Sequence, residues 1–258
     1  MSSVSSNTQE IRQVILGSRS PQRRSLLALL VRADCILVRP PANPQEEEFA
    51  GLSEWSAISA RLRDIVATKL NAVLMQCTPD ELQNSLVLTA DTTIIAPAPR
   101  QAAQPLASLP VGHVPAEAPR FEVLGQPPED ATGHAVVQEW FTTRLAGRTH
   151  WAMTAVCWRE PGGNIRTRLA TTAVTFRTDV ATWLPFLLAS GEPRGKAGGY
   201  GLQGLGSLFI ERVEGSLTNV IGLPLEVVLP VLQGSGAGAI LNMQDPLPTV
   251  GVPGEPVR

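Results

Sequence analysis

The stretch LVLTADTTIIA at residues 86–96 decides the fold, because it is apolar or β-branched at both ends and charged only at Asp91. Such a run is typical of a buried strand. Segments with helical spacing alternate with short strand-like segments on both sides of it, with helices at 22–30, 54–76, 129–145 and 179–190, and strands at 13–17, 35–39, 150–158, 165–177 and 207–213. This alternation predicts an α/β fold with a mixed, twisted sheet and flanking helices.

The predicted domain spans residues 13–233. Within it, residues 97–120 are rich in Pro and Ala and have no periodic pattern, which predicts an inserted flexible loop. We expect disorder in residues 1–12, which are polar, and flexibility in residues 234–258, which are rich in Gly and Pro.

The charge balance excludes some function classes. The 258 residues include 21 Lys and Arg against 23 Asp and Glu, a formal net charge of −2. Proteins that bind polynucleotides by charge normally have a basic excess, so we expect no nucleic acid polymer as a partner. No run approaches the ~18 apolar residues of a membrane span. The polar first residues, which lack a signal peptide, and three widely spaced cysteines predict a cytoplasmic protein without membrane contact.

The segment SRSPQRR at residues 18–24 joins the first predicted strand to the first helix. Ser20 is a suitable N-cap, and Pro21 suits the first helical turn. Backbone N–H groups at such a junction, the hydroxyls of Ser18 and Ser20 and the guanidinium of Arg23 predict a phosphate site. An ordinary capped helix with surface arginines is the alternative interpretation.

Asp91 is the single charge of its strand. Burial of a lone carboxylate is unfavourable, so such a residue usually has a partner or a catalytic role. Beside a triphosphate, an aspartate can bind a divalent metal or take a proton from attacking water. The alternative is a strand-end aspartate that caps the following turn.

The segment GKAGGYGLQG at residues 195–204 has five glycines, which let the backbone approach a ligand closely. Lys196 is suited to a phosphate, and the amide of Gln203 offers both a donor and an acceptor to a base edge. The order of a Walker loop is absent, and a flexible hairpin loop is the alternative.

An acidic loop that includes Glu46 and Glu47 precedes the second predicted helix, on which Lys69 lies. Composition alone favours a solvated loop and a surface lysine here. The segment therefore indicates a site only in combination with the other motifs.

Taken in order, these motifs resemble the Maf family of nucleoside triphosphate pyrophosphatases. The matching strings are SRSPQRRSLLALL, ATKLNA with Lys69, TADT around Asp91, SGEPRGKAGGYGLQG and NVIGLPL. They stand in the family's order over about residues 13–232, apart from the insertion, which makes the resemblance specific. It implies an α/β fold with a central cleft, like that of the inosine triphosphate pyrophosphatases, and a homodimer as the oligomeric form.

The resemblance also implies the chemistry. Asp91 would be the general base that activates water for attack at the α-phosphate of a nucleotide substrate. Lys69, Arg23 and Lys196 would hold the phosphates, next to the serines of the first motif. A divalent cation, Mg²⁺ or Mn²⁺, would offset the phosphate charge.

The metal ligands would come from two places. Asp91 is one, and the acidic loop supplies the other through Glu46 or Glu47, between which the register of the motif does not decide.

Three positions separate two branches of the family. Members acting on dTTP and UTP have Arg, Thr and Gln there, and members preferring 7-methyl-GTP have Trp, Gln and Glu. This chain has Gln22, Thr92 and Gln203. Two of the three residues predict hydrolysis of dTTP and UTP, whereas Gln22 matches neither branch.

A second departure is Gln126, which stands where family members usually have a lysine before a proline. Loss of one charge-assisted contact costs about 1.5–3 kcal/mol, roughly 10- to 100-fold in rate, unless a cation such as Arg120 compensates. The alternatives are therefore a catalytically weak or inactive nucleotide-binding regulatory protein and a 7-methyl-GTP-type pyrophosphatase.

Overall fold

The computed structural model describes residues 10–42, 49–98 and 120–242. The strands in these ranges are β1 (Gln13–Leu16), β2 (Ile36–Val38), β3 (Ser85–Pro97), β4 (Phe121–Leu124), β5 (Thr149–Arg159), β6 (Ile165–Phe176) and β7 (Ile210–Glu214). The α-helices are α1 (Pro21–Leu27), α2 (Trp55–Leu74), α3 (Pro79–Asn84), α4 (Gly133–Glu139), α5 (Val180–Ser190), α6 (Leu217–Ile221) and α7 (Leu225–Gly234).

The strands form one sheet in the order β2-β1-β3-β5-β6-β7, with β4 paired to β3. β1 is parallel to β2 and β3, whereas every other pairing in the described sheet is antiparallel. The predicted α/β architecture with a mixed sheet is thus confirmed.

One edge of β3 has two different neighbours. β1 pairs with residues 85–88, and β4 pairs with residues 94–97. Between them, residues 89–93 have no strand partner on this edge in the described part of the chain. On the opposite edge β5 pairs with β3 along its length, from Val87 to Ile95. The sheet therefore has a gap on one side of β3, and Asp91 lies in the middle of it.

The side chains of β3 alternate between two faces of the sheet, as the pleat requires. Val87 and Ile95 pack with α2, whose buried stripe is Ile58, Leu62, Val66, Leu70 and Val73. Leu86, Leu88 and Ala90 face the other way and pack with α1 and α7. Further along that second face, Ile94 and Ala96 pack with α4, α5 and a cluster of aromatic rings.

Several element bounds differ from the predicted ones. The helix predicted at 129–145 begins at Gly133 and changes to π-helical turns over Trp140–Leu145. The strand predicted at 207–213 begins only at Ile210, after a 3₁₀ segment. α3 was not predicted, although Thr78 and Glu81 form a capping box at its start.

The proline-rich insertion joins two paired strands. β3 continues to Pro97 and β4 begins at Phe121, and the backbone N–H of Ala98 donates to the carbonyl of Arg120 at 2.9 Å. The insertion therefore leaves the sheet at the end of a β-hairpin. Residues 99–119, most of the predicted flexible loop, lie outside the described residues, as do residues 1–9 of the N-terminal segment predicted to be disordered.

The chain does not leave the core at residue 234, where we predicted the start of a flexible segment. Ala237 and Ile240 are buried, and Leu241 forms a β-bridge with Val31. The apolar residues in AGAIL explain this packing, which the high Gly content conceals in the sequence. Residues 243–258 lie outside the described residues. In the described part of the chain, no helix is long and apolar enough to cross a membrane.

Candidate active site

Asp91 lies in the gap of β3 and forms an ion pair with Lys69. The Nζ atom of Lys69, on α2, donates to Oδ1 of Asp91 at 2.7 Å. The two side chains are 26% and 21% exposed, so solvent and a ligand can reach both groups. The sequence placed both residues in the site, and the structure brings them into contact. A strand-end turn cap, the alternative role for Asp91, does not describe a residue in the middle of a 13-residue strand.

The loop after β1 is held by its own serines. Ser20 is the N-cap of α1, as predicted, because its Oγ accepts from the backbone N–H of Arg23 at 3.3 Å. Oγ of Ser18 accepts from the backbone N–H of Ser20 at 3.2 Å. Oγ of Ser20 also donates to Oε1 of Gln22 at 3.1 Å. Both serine hydroxyls thus order the turn that leads to Arg23.

The Arg23 guanidinium crosses from α1 to β3. It donates through Nε to the carbonyl of Gly222 at 2.9 Å, through Nη1 to Ser18 Oγ at 3.4 Å and through Nη2 to Thr92 Oγ1 at 3.2 Å. Burial lowers the pKa of Arg23, and the charge of Asp91 acts in the opposite direction. An arginine nevertheless stays charged in proteins. α1 has only seven residues, so this cation is the stronger feature for binding an anion.

Thr92 follows Asp91 but lies on the other face of the sheet. Its Oγ1 is 2.9 Å from Thr154 Oγ1 on β5, the residue paired with it across the strands. It is also 3.5 Å from the carbonyl of Gly222. Thr92 therefore contacts the group that holds Arg23, whereas Asp91 contacts Lys69.

The glycine-rich loop is folded around the carboxylate of Glu192. Oε1 of Glu192 accepts from the backbone N–H groups of Gly201 at 3.2 Å and Gly206 at 3.1 Å, and Oε2 accepts from that of Leu205 at 2.6 Å. A Cβ atom on Gly204 would lie 2.3 Å from this carboxylate. Three backbone N–H groups thus point to one place, and the absence of a side chain on Gly204 leaves that place open for an anion. The carboxylate of Glu192 occupies it.

Lys196 and Gln203 lie on this loop, beside the gap rather than in it. Nζ of Lys196 donates to the backbone carbonyl of Glu192 at 2.6 Å, and Gln203 is exposed. Gly198, with φ of +69°, packs on Ile94, three residues after Asp91. The loop is thus close to β3, but among the described residues neither side chain contacts Asp91 or Arg23.

Gln126, which stands where family members usually have a lysine, lies next to the glycine-rich loop. Gly198 donates its backbone N–H to the carbonyl of Gly125 at 2.9 Å, and the exposed Gln126 comes next. Arg120, which we considered as a compensating cation, is exposed and lies at the start of β4, where its carbonyl pairs with Ala98.

The described residues offer one carboxylate for a divalent cation at this site. Glu46 and Glu47 lie outside the described residues. Among the residues described, no group of three or more His, Cys, Asp or Glu is placed to hold a metal. Mg²⁺ is commonly bound through one or two carboxylates plus substrate phosphates. Asp91 fits that pattern, because Lys69 contacts its Oδ1 atom and the second carboxylate oxygen, Oδ2, is left for a cation.

Three residues of the site were missed by sequence reasoning. The sequence singles out neither Glu192, which accepts from the glycine-rich loop, nor Thr154, which contacts Thr92, nor Asn219, whose carbonyl accepts from Thr154 at 3.3 Å. The strings SGEP and NVIGLPL contain two of them, so motif membership was an available signal. Thr154 has no such signal, because its role depends on strand register.

Comparisons with known proteins show which family the chain resembles over most of its length. A family model described as Maf-like protein matches residues 13–235. The dTTP/UTP pyrophosphatase of Deinococcus radiodurans is 32% identical over 227 residues, 88% of this chain and 95% of that protein. The dTTP/UTP pyrophosphatase of Desulfitobacterium hafniense is 31% identical over 244 residues, 93% and 94% of the two chains. That of Agrobacterium fabrum is 44% identical, but over 92 residues, 36% of this chain and 44% of that protein.

Proposed function

Because the chain belongs to the Maf family of nucleoside triphosphate pyrophosphatases, which are hydrolases, we propose that it converts dTTP and UTP to the nucleoside monophosphate and pyrophosphate. The names of the relatives that align with most of the chain support this choice of substrate. Thr92 and Gln203, which match the dTTP- and UTP-directed branch, support it as well.

The observation that carries the proposal is the ion pair of Asp91 with Lys69 in the gap of β3. A second cation, the guanidinium of Arg23, is bonded to the next residue of the strand, Thr92. A triphosphate needs such cations, and its attack by water needs a group that takes a proton.

In the proposed reaction, water attacks the α-phosphorus, and the bond from this phosphorus to the bridging oxygen breaks. Asp91 takes the proton of the water, and pyrophosphate leaves with the bridging oxygen. Lys69 orients Asp91 through the 2.7 Å hydrogen bond and has further N–H donors for phosphate oxygens. Arg23, whose guanidinium also contacts Ser18, and Lys196 of the adjoining glycine-rich loop bind the phosphates.

Maf enzymes generally need a divalent metal, and we propose that Asp91 would be one of the residues that hold Mg²⁺ or Mn²⁺. The cation would supply positive charge that offsets the charge of the phosphates. Glu46 or Glu47 is proposed as a further ligand. A homodimer, a cytoplasmic location and the absence of nucleic acid partners remain predictions.

Two glutamines favour a second candidate, a nucleotide-binding protein with weak or no turnover. Gln22 stands where the dTTP- and UTP-directed branch is expected to have Arg, and Gln126 stands where members of the family usually have a lysine. In the structure Gln22 accepts a hydrogen bond from Ser20, and Gln126 is exposed, so neither adds charge near the phosphates.

A substrate panel separates these functions. We expect pyrophosphate release from dTTP and UTP with millimolar Mg²⁺ or Mn²⁺, and loss of the release with Asp91→Asn. Preference for 7-methyl-GTP would replace the pyrimidine assignment with the purine one. Tight triphosphate binding in calorimetry without turnover would establish the binding protein instead.

A further inference from the structure

Arg23 is connected to the interior of the sheet by a chain of hydroxyl groups. Nη2 of Arg23 donates to Thr92 Oγ1 at 3.2 Å, Thr92 Oγ1 is 2.9 Å from Thr154 Oγ1, and Thr154 Oγ1 donates to the carbonyl of Asn219 at 3.3 Å. Thr154 and Asn219 are fully buried. Arg23, Thr92 and Asn219 belong to three separate sequence motifs. Thr154 lies on β5, a strand to which the sequence assigned no functional residue.

The two ends of this chain fix the direction of its hydrogen bonds. A guanidinium can only donate, and a backbone carbonyl can only accept. The hydroxyl of Thr92 therefore accepts from Arg23 and donates to Thr154 at 2.9 Å, a shorter contact than the 3.5 Å to the carbonyl of Gly222, while the hydrogen of Thr154 points to Asn219. Hydrogen bonds that run in one direction polarise and strengthen one another in a low-dielectric interior.

Asn219 also supports Arg23 by a second route. Its Nδ2 donates to the carbonyl of Ala152 at 3.0 Å and to Thr172 Oγ1 at 2.9 Å, which ties α6 to two strands of the sheet. α6 ends at Gly222, whose carbonyl accepts from Nε of Arg23 at 2.9 Å. Asn219 thus fixes an acceptor for Nε as well as the hydroxyl chain below Nη2.

The contacts that fix Arg23 leave part of its guanidinium available to a ligand. A guanidinium has five N–H groups, of which three are directed to Gly222, Ser18 and Thr92. Two remain, and no other described residue accepts from them. All contacts that fix the group are neutral acceptors, so its charge stays available to an anion.

We propose that Thr154 and Asn219 are positioning residues that hold the Arg23 guanidinium in the orientation that binds the triphosphate. Thr154 acts through the hydroxyl of Thr92, so Thr92 affects the substrate through Arg23 and not by contact with a base. This inference rests on the proposed role of Arg23 in phosphate binding. It deepens that role, because it names the buried groups on which it depends.

Thr154→Val tests the chain, because it keeps the shape of the side chain and removes its hydroxyl. We expect the KM for the nucleotide to rise about fivefold to tenfold, since a hydroxyl left without its partner weakens the hold on a charged group. Thr154→Ser keeps the hydroxyl and is expected to restore KM to within about twofold of the wild type. A rise that Ser does not rescue would contradict the proposal.

Thr149→Val is the matched control. Thr149 is on the same strand, and its Oγ1 pairs across the sheet with Thr175 Oγ1 at the same 2.9 Å, remote from Arg23. Both Val variants are expected to lower the melting temperature, but only Thr154→Val changes KM. An equal change of KM in both would mean that Thr154 is merely structural.

A double-mutant cycle with Arg23→Met separates this proposal from the proposed function. The binding of inorganic triphosphate is measured by calorimetry. We expect Arg23→Met to weaken it, Thr154→Val to weaken it less, and Thr154→Val to have no further effect once Arg23 is removed. If Arg23→Met binds like the wild type, the role of Arg23 itself is wrong. If Arg23→Met weakens binding and Thr154→Val does not, only the positioning proposal fails.

Discussion

Asp91 and Thr92 are consecutive residues on β3, and they belong to two very different environments. On the α2 face, Asp91 contacts a cation and is accessible to solvent. On the opposite face, the described groups that Thr92 contacts are neutral hydroxyl and carbonyl oxygens and the guanidinium of Arg23. The strand thus presents a reactive group on one side and a fixed support on the other. Because side chains alternate along a strand, two consecutive residues place the proposed catalytic group on one face of the sheet and the groups that support Arg23 on the other.

The largest effect is expected from Asp91→Asn, which removes the proposed base on the α2 face of the strand, called here the reactive face. An amide cannot take the proton of the attacking water, so we expect kcat to fall about 10²- to 10⁴-fold with little change in stability. Asp64→Asn, an exposed aspartate on α2, is the control and should keep wild-type turnover. Initial rates of pyrophosphate release with dTTP measure both. Full turnover in Asp91→Asn would remove the base assignment.

The second effect is expected from Lys69→Met, which keeps the apolar stem and removes the ammonium. One charge-assisted hydrogen bond to Asp91 and the contact to phosphate are lost, for which we expect kcat/KM to fall roughly 10- to 100-fold. Arg63→Met, an exposed cation on the same helix, is the matched control. Equal losses in the two variants would show that α2 contributes only general positive charge.

The parts of the site that could be predicted from the sequence are those with local signals. A lone charge in an apolar strand marks Asp91 on the α2 face. On the opposite face, a serine before a proline marks the N-cap at Ser20, which the structure confirms. The order of motifs also indicated that Lys69 belongs to the same site. Each of these inferences needs only neighbouring residues or a family pattern.

The supporting face could not be predicted, because it is built from contacts between distant parts of the chain. Arg23 bonds to Gly222, 199 residues later, and Thr92 bonds to Thr154, 62 residues later. Their alignment depends on the register of β3 with β5 and on where β1 stops pairing. Threonine is common on any sheet surface, so nothing in the sequence separates Thr154 from its neighbours.

A smaller effect is expected at the glycine-rich loop, which belongs to neither face. Glu192→Gln keeps the shape but turns an NH₂ group toward backbone N–H donors. We expect a loss of about 1–2 kcal/mol in the free energy of unfolding, because the partly buried N–H groups of Gly201 and Gly206 and the exposed N–H group of Leu205 lose a charged acceptor. Hydrogen exchange of the amides of Leu205 and Gly206 should become faster, and KM should rise several-fold. Glu211→Gln, an exposed glutamate on β7, serves as the control; unchanged exchange in Glu192→Gln would show that the carboxylate does not order the loop.

The smallest effect on activity is expected at His150, which lies on the supporting face far along β5. The ring is fully buried, and its Nε2 is 2.7 Å from the hydroxyl of Tyr200. Burial lowers the pKa of His150 to about 3 from 6.5. Between these values the unfolded chain binds a proton that the folded protein does not, so the stability from this residue is complete above pH 6.5 and falls as the pH is lowered toward 3.

Chemical denaturation at pH 7 and pH 5 measures this dependence. Each pH unit below 6.5 is worth about 1.4 kcal/mol per proton, so we expect this residue to account for about 2 kcal/mol of the difference. His150→Gln should lose that part of the slope, whatever its stability at pH 7, while the exposed His134→Gln should retain it. Because His150 contacts neither Asp91 nor Arg23, kcat at pH 7 should change little in the folded variant. An unchanged slope in His150→Gln would mean that the interior of this face tolerates a charge. The contrast between a charged reactive face and a neutral support would then apply only near Thr92.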